Sequence, residues 1–381
     1  MTERIHLSSP HMSGKEQDYI QEAFDLNWIA PLGKNVNEFE NSIADYAGTA
    51  GASVLTSGTA AIHLALRILE VGKSDKVICS TFTFVASANP IIYQGAEPIF
   101  IDSEPETWNM SPVALKRALE EAEKEGELPK AAIIVNLYGQ SAKMDELKFI
   151  CDRYNVPIIE DAAESLGSEY KGQKSGTIGK FGVYSFNGNK IITTSSGGAL
   201  ISNDKAALER SRFLATQSRD KAMHYQHSEI GYNYRMSNIL AGIGRAQLEI
   251  LEERVLQKRM VFENYRQNLE NNPGFEFMPE LSETKSNRWL TALTIDPLET
   301  NVTHLQVIET LGMNNIEARP LWKPLHLQPV FKDKKFYSHS PEESISESLF
   351  QKGLCLPSGT NMSWEQQEKI IEIINSLNKT M

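Results

Sequence analysis

The chain has 381 residues, enough for roughly two domains of about 150 residues each around a sizeable core. Its formal net charge of -11 argues against sequence-independent nucleic-acid binding, which needs a basic face, although a few local cations suffice for an anionic ligand. No apolar stretch approaches the roughly 20 residues that span a bilayer, and residues 1–7 carry no apolar signal core. Cys79, Cys151 and Cys355 lie far apart without metal spacing, so reduced thiols, no bound metal and a cytoplasmic location are expected.

Strand and helix signals alternate between residues 50 and 215. Residues 52–55 read as a short strand and 59–69 as a helix with apolar residues at helical spacing. Residues 76–79 form the next strand, followed by a helix over 86–93 and a strand over 97–101. Ser111 caps a helix that has Pro112 in its first position and runs to about residue 123. A β-branched strand over 131–135, a helix over 144–154 and strands over 157–160, 181–186 and 199–202 complete the run. Such alternation implies a mainly parallel sheet wrapped by helices. After about residue 236 the pattern changes to a long helix over 237–269, continuous or broken, then a strand-like stretch over 287–295 and helices over 304–311 and 364–377. The chain thus divides into a large α/β domain, 1–250, and a smaller α+β domain, 251–381.

Ligands of parallel α/β sheets sit beyond the carboxyl ends of the strands. The first such end is Thr56-Ser57-Gly58-Thr59-Ala60-Ala61, where small residues let backbone N–H groups approach an anion at a helix N-terminus and Thr59 adds a hydroxyl. An ordinary helix cap would use the same residues. The second, Thr81-Phe82-Thr83-Phe84-Val85-Ala86-Ser87, offers an aromatic able to stack on a flat ring or simply to fill the core. The third runs from Ile158 through Glu160, Asp161 and Glu164. A carboxylate there can hold a pyridine nitrogen protonated, an effect of roughly one to three pKa units, while an acidic surface turn is the plainer reading. At the fourth, an aromatic-rich strand runs through Ser185 into Asn187-Gly188-Asn189-Lys190. A wall that desolvates Lys190 lowers its pKa and lets it bond a carbonyl cofactor; alone it would read as a solvated turn lysine. Together these ends supply an anion cradle, a ring-stacking aromatic, a pyridinium partner and an imine lysine, the parts of a pyridoxal-phosphate site. Arg319, Trp322, Lys323 and His326 add cations, an indole and an imidazole suited to a diphosphate and a flat base, or to packing on another domain.

These motifs, with Gly231-Tyr232-Asn233-Tyr234-Arg235-Met236-Ser237 and Arg319-Pro320-Leu321-Trp322-Lys323-Pro324, resemble the DegT/StrS family of pyridoxal-phosphate sugar aminotransferases over almost the whole length. The resemblance implies a fold-type I, aspartate-aminotransferase-like architecture: a large domain with a mainly parallel seven-stranded sheet and a smaller α+β C-terminal domain. It implies pyridoxal 5'-phosphate as cofactor, with Lys190 as Schiff-base lysine and proton carrier and Asp161 as pyridinium partner. By the same resemblance Gly58, Thr59 and Ser185 bind the phosphate and Phe84 stacks on the ring. Asn233 is similar to a residue that reaches the phosphate of the neighbouring subunit, which implies a homodimer with shared sites. Glu164 stands where relatives often carry His or Gln, and a contact to the ring's 3-hydroxyl or to substrate is expected of it. Arg319, Trp322, Lys323 and His326 look like nucleotide-sugar contacts, with Trp28, Ile29, His227 and Arg288 as further candidates around the sugar.

Within the family, Ser9-Pro10-His11-Met12, Ile29-Ala30-Pro31-Leu32-Gly33 and Leu356-Pro357-Ser358-Gly359-Thr360 look most like enzymes of bacillosamine biosynthesis. Those enzymes move an amino group from L-glutamate to C4 of a UDP-linked 4-keto-6-deoxy sugar, UDP-2-acetamido-4-keto-2,4,6-trideoxyhexose. A GDP-perosamine or dTDP-amino-sugar aminotransferase and a non-catalytic pyridoxal-phosphate-binding regulator are the alternatives. Related dehydratases carry His where Lys190 stands. A nicotinamide dehydrogenase would need Gly-x-Gly-x-x-Gly after an early strand, and none is present.

Overall fold

A computed structural model describes residues 4–379. Its main sheet has eight strands in the order Gly51–Leu55, Gly198–Ser202, Phe181–Ser185, Ile158–Asp161, Ala131–Val135, Lys76–Ser80, Glu97–Ile101 and Phe336–Tyr337. The expected seven strands are all present, and the pairings from Phe181–Ser185 outward to Phe336–Tyr337 are parallel. Gly198–Ser202 is antiparallel to both of its neighbours. Two reversals restore direction, so Gly51–Leu55 ends at the same edge as Phe181–Ser185 and Ile158–Asp161. Central strands are buried throughout and apolar except for Glu160 and Asp161 at the end of Ile158–Asp161, as a sheet covered by helices on both faces requires.

Alternation along Ile158–Asp161 sends neighbouring carboxylates to opposite faces. Glu160 accepts hydrogen bonds from Asn136 Nδ2 (2.9 Å), Gly176 N (2.7 Å) and Ile178 N (2.9 Å), and so folds the 175–179 turn beneath the sheet. Asp161 faces the other way, toward Ser87. The helix expected over 86–93 is split into a 3-10 turn, Val85–Ser87, and a short helix, Asn89–Tyr93. Pro90 has no N–H to donate to residue 86, so the helix restarts there, and the tighter turn carries Ser87 beneath Asp161. Gly198 is required by close approach: a β-carbon there would lie 2.3 Å from Gly58 N, at the head of the helix Gly58–Ile68.

The long C-terminal helix breaks at Ile250 into Asn238–Glu249 and Leu251–Leu269. Beyond it Phe275–Phe277, Thr291–Ile295, Gly353–Leu356 and Arg319–Pro320 form an antiparallel sheet. The strand expected over 287–295 begins only at Thr291. Residues ahead of it are held by long-range bonds instead: Asn287 Nδ2 donates to the carbonyls of Glu164 (3.0 Å) and Leu166 (2.8 Å). All three cysteines are buried and free. Among the described residues, no helix is long and apolar enough to cross a membrane, and no cluster of three or more His, Cys, Asp or Glu is arranged to hold a metal.

Lys258 is buried without a carboxylate partner among the described residues; its Nζ donates to Ser358 O (2.6 Å) and Ser8 Oγ (3.1 Å). Burial lowers its pKa from 10.5 to about 7. Between those values the unfolded chain binds the extra proton, so this group makes stability rise with pH from about 7 to about 10.5. In a Lys258→Met protein that rise is expected to shrink by about 3–5 kcal/mol. Urea midpoints at neutral and alkaline pH check this, and identical pH slopes in the two proteins would count against it.

Candidate active site

A cavity of about 190 Å³ opens at the carboxyl edge of the sheet. Gly58, Thr59, Phe84, Ser87, Asp161, Glu164, Ser185, Lys190, Trp289 and Trp322 are among the residues that line it. Ser57 accepts from Ala60 N (3.0 Å) and starts the helix Gly58–Ile68, so that helix points its N-terminal dipole at the cavity beside Ser185. Asp161, which lines the same cavity, accepts from Ser87 Oγ (2.7 Å) and Ala163 N (3.1 Å). Burial raises the Asp161 carboxyl above its usual range, so a cation beside it would restore its charge.

Lys190 ends a turn closed by its N–H to Asn187 O (2.9 Å). The carbonyl of Asn189 accepts from Ser8 Oγ (3.0 Å) and from the indole of Trp289 (2.7 Å), which fixes the turn from two other parts of the chain. Its amine lies 3.8 Å from Glu164 Oε1 and 4.1 Å from the centre of the Trp289 ring. Burial pulls the Lys190 pKa down, while Glu164 and Asp161 oppose that shift. Glu164 is in turn raised by burial and accepts from Tyr138 N (2.8 Å). The site therefore holds an amine biased toward its neutral, nucleophilic form, two buried carboxyls and an anion-favouring helix end, all on one cavity.

Other expected site residues lie outside this cavity. Asn233 is exposed, in a β-bridge with Thr216. Trp28 and Ile29 are half-exposed, and the Trp28 carbonyl accepts from Asn238 Nδ2 (3.0 Å). His227 bonds the Gln217 carbonyl through Nδ1 (2.8 Å). The run from Arg319 to His326, expected as one substrate-contacting group, divides. Trp322 lines the cavity, whereas Arg319 is ion-paired with Glu317 (2.9 Å) and Lys323 is not among the lining residues. His326 is bonded to Thr81 Oγ1 (2.7 Å) and Glu347 Oε1 (3.2 Å) and stacked 3.6 Å from Phe336. A strand at 319–320 and a 3-10 turn at 325–327 turn these side chains in different directions, so closeness in sequence did not mean a shared face. Arg288 likewise turns away, donating to Met278 O (2.8 Å) and Glu280 Oε2 (3.1 Å).

Sequence reasoning passed over Ser87, Tyr138 and Trp289. Ser87 carried a usable signal, three residues after Phe84 in the same segment. Tyr138 and Trp289 carried none, since each reaches the site through a bent loop. Tyr138 sits at φ 50° and accepts from Trp322 N (3.0 Å), and it stacks on Trp322 with a 12° interplanar angle.

The signature of the DegT/DnrJ/EryC1/StrS aminotransferase family spans residues 10–375. The chain belongs to this family. It is similar to EpsN of Bacillus subtilis (strain 168), provisionally named a pyridoxal phosphate-dependent aminotransferase, with 60% identity over 381 residues covering 100% of this chain and 97% of that protein. GDP-perosamine synthase of Caulobacter vibrioides is 35% identical over 98% of each chain. Among solved structures, a DegT/DnrJ/EryC1/StrS aminotransferase from Brucella abortus matches with a TM-score of 0.88 and 28% identity, over 96% of this chain and 95% of that one. As a member of the DegT family the protein is a sugar aminotransferase of fold type I that works with pyridoxal 5'-phosphate. The cavity suits that cofactor. A helix N-terminus with hydroxyls matches a phosphate, a buried carboxyl matches a ring nitrogen, aromatic side chains match the ring, and one amine matches its aldehyde.

Proposed function

We propose that the protein transfers the amino group of L-glutamate to C4 of UDP-2-acetamido-4-keto-2,4,6-trideoxyhexose, giving 2-oxoglutarate and a UDP-4-amino sugar. The observation that carries the reading is Lys190 and Asp161 lining one cavity together with the head of a helix, Gly58 and Thr59. In this reading Gly58, Thr59 and Ser185 hold the cofactor's phosphate, Asp161 its ring nitrogen, Phe84 its face, and Glu164 its 3-hydroxyl or the substrate. When bound, pyridoxal phosphate supplies an aldehyde and a ring that accepts electrons. Lys190 Nζ takes the proton from the α-carbon of glutamate, then delivers one to C4 of the sugar in the second half of the cycle. That work needs a neutral amine, which burial favours. Ser87 keeps the Asp161 carboxylate oriented.

The enzyme acts in this reading as a homodimer in which Asn233 completes the partner's phosphate site and Trp28, Ile29 and His227 border the partner's sugar pocket. Support comes from exposed large apolar side chains near those positions in sequence, including Leu32, Met223, Tyr225 and Ile230, which a monomer would leave in water. Trp322 and Lys323 remain candidates for the nucleotide sugar.

A second reading, amination of a GDP-linked sugar, is favoured by relatives named GDP-perosamine synthase at 33–36% identity. Incubating the enzyme with glutamate and a panel of UDP-, GDP- and dTDP-linked 4-keto sugars, with mass spectrometry of the products, separates the two. The UDP-linked N-acetyl sugar is expected to gain the amine; conversion of the GDP-linked sugar alone would replace the first reading with the second.

A further inference from the structure

Lys190 must have somewhere to go when it is not bonded to the cofactor. Among the described residues its Nζ makes no hydrogen bond, and Glu164 at 3.8 Å stands beyond hydrogen-bond reach. Besides that loose ion pair, its other close partner is the face of Trp289, 4.1 Å from amine to ring centre. That indole is 1% exposed and cannot be displaced by water. Its orientation is set at two points: Nε1 donates to Asn189 O (2.7 Å), the residue before the lysine, and its backbone N–H donates to Asn287 Oδ1 (2.8 Å).

We propose that the Trp289 indole face is the resting place of the Lys190 amine whenever the lysine is free. A ring quadrupole attracts an ammonium without accepting its proton. An ion pair closed to hydrogen-bond distance in the same buried space would lock the charge in place. The indole is the weaker hold, strong enough to keep the amine ordered and weak enough to let it give up its proton and return. Ionisable groups lining the cavity with Lys190 are Asp161 and Glu164, and both favour the ammonium as the indole does.

The inference rests on the reading of Lys190 as the cofactor-bonding lysine, but its test needs no cofactor. In full-length protein freed of cofactor, the rate at which an acylating reagent labels Lys190 is followed by peptide mass spectrometry across pH. In Trp289→Leu the labelling midpoint is expected to fall by about one pH unit, so that labelling below the midpoint becomes about tenfold faster. Trp289→Phe is equally apolar but keeps a ring face, and its midpoint is expected to fall by about half a unit. An unmoved midpoint in the leucine protein, or equal shifts in the two, overturns the proposal. Should the leucine protein fail to fold, an unmoved or raised midpoint in the phenylalanine protein does so. Borohydride fixation of the cofactor separates this failure from that of the reading beneath it. A label at another lysine sinks the Lys190 assignment; a label at 190 with an unmoved midpoint sinks only the role of Trp289.

Discussion

Lys190→Ala is expected to lower transamination by about 10⁴-fold or more while the protein remains folded. No other residue lining the cavity carries an amine, so nothing nearby can take over either bonding to the cofactor or carrying the proton. Stability should not suffer. The amine makes no hydrogen bond among the described residues, and its burial already disfavours the charged form. Lys190→Arg sharpens the test: guanidinium keeps much of the bulk, but it stays charged near neutral pH and cannot act as nucleophile or base. Both proteins are expected to be inactive with melting temperatures close to the parent. Steady-state kcat/KM with the accepted sugar, together with thermal melts, gives the answer. A Lys190→Ala enzyme retaining a tenth of its activity would end the assignment.

Asp161→Asn is expected to lower kcat/KM by about 10²–10³-fold and to weaken cofactor binding. The substitution preserves shape and leaves an oxygen for Ser87 to bond, so what it removes is charge. A buried carboxylate facing a ring nitrogen shifts that nitrogen's pKa upward by about one to three units, each unit worth about 1.4 kcal/mol between protonation states. Losing it leaves the ring unprotonated and a weaker electron acceptor. Glu160→Gln is the control one residue away. Glu160 accepts from Asn136 and from the backbone of Gly176, Ile178 and Gly179 on the opposite face, so its replacement should lower stability while changing kcat/KM by no more than about threefold. Equal loss of activity in the two proteins would mean that the acidic pair acts through folding and that Asp161 has no special place at the ring.

The fold and one end of the site were legible for a common reason. Ala131–Val135 and Ile158–Asp161 are short, wholly buried and built around paired isoleucines, and a parallel sheet covered on both faces favours that pattern. Lys190, Asp161, Ser185 and Gly58 stand at strand or helix ends, so the sheet itself carries them to one edge. Phe336–Tyr337 was not legible as an eighth strand, since two residues show no periodicity; the edge of Glu97–Ile101 recruits them. Residue type groups the run from Arg319 to His326, and its division was not legible, because a strand and a 3-10 turn within it send the side chains apart.

What the sequence determined by itself is the alternating sheet, the capped helix at Ser57 and the set of reactive groups at the strand ends, because each depends on neighbours a few positions away. What only the tertiary structure decided is how those groups are tuned. Trp289 meets the Lys190 turn across a separation of 100 residues, Tyr138 bonds Trp322 across 184, and Asn287 ties the loop between them to Glu164. Contacts of that kind come from the packing of whole elements against one another, and a periodicity of two or 3.6 residues carries no record of them.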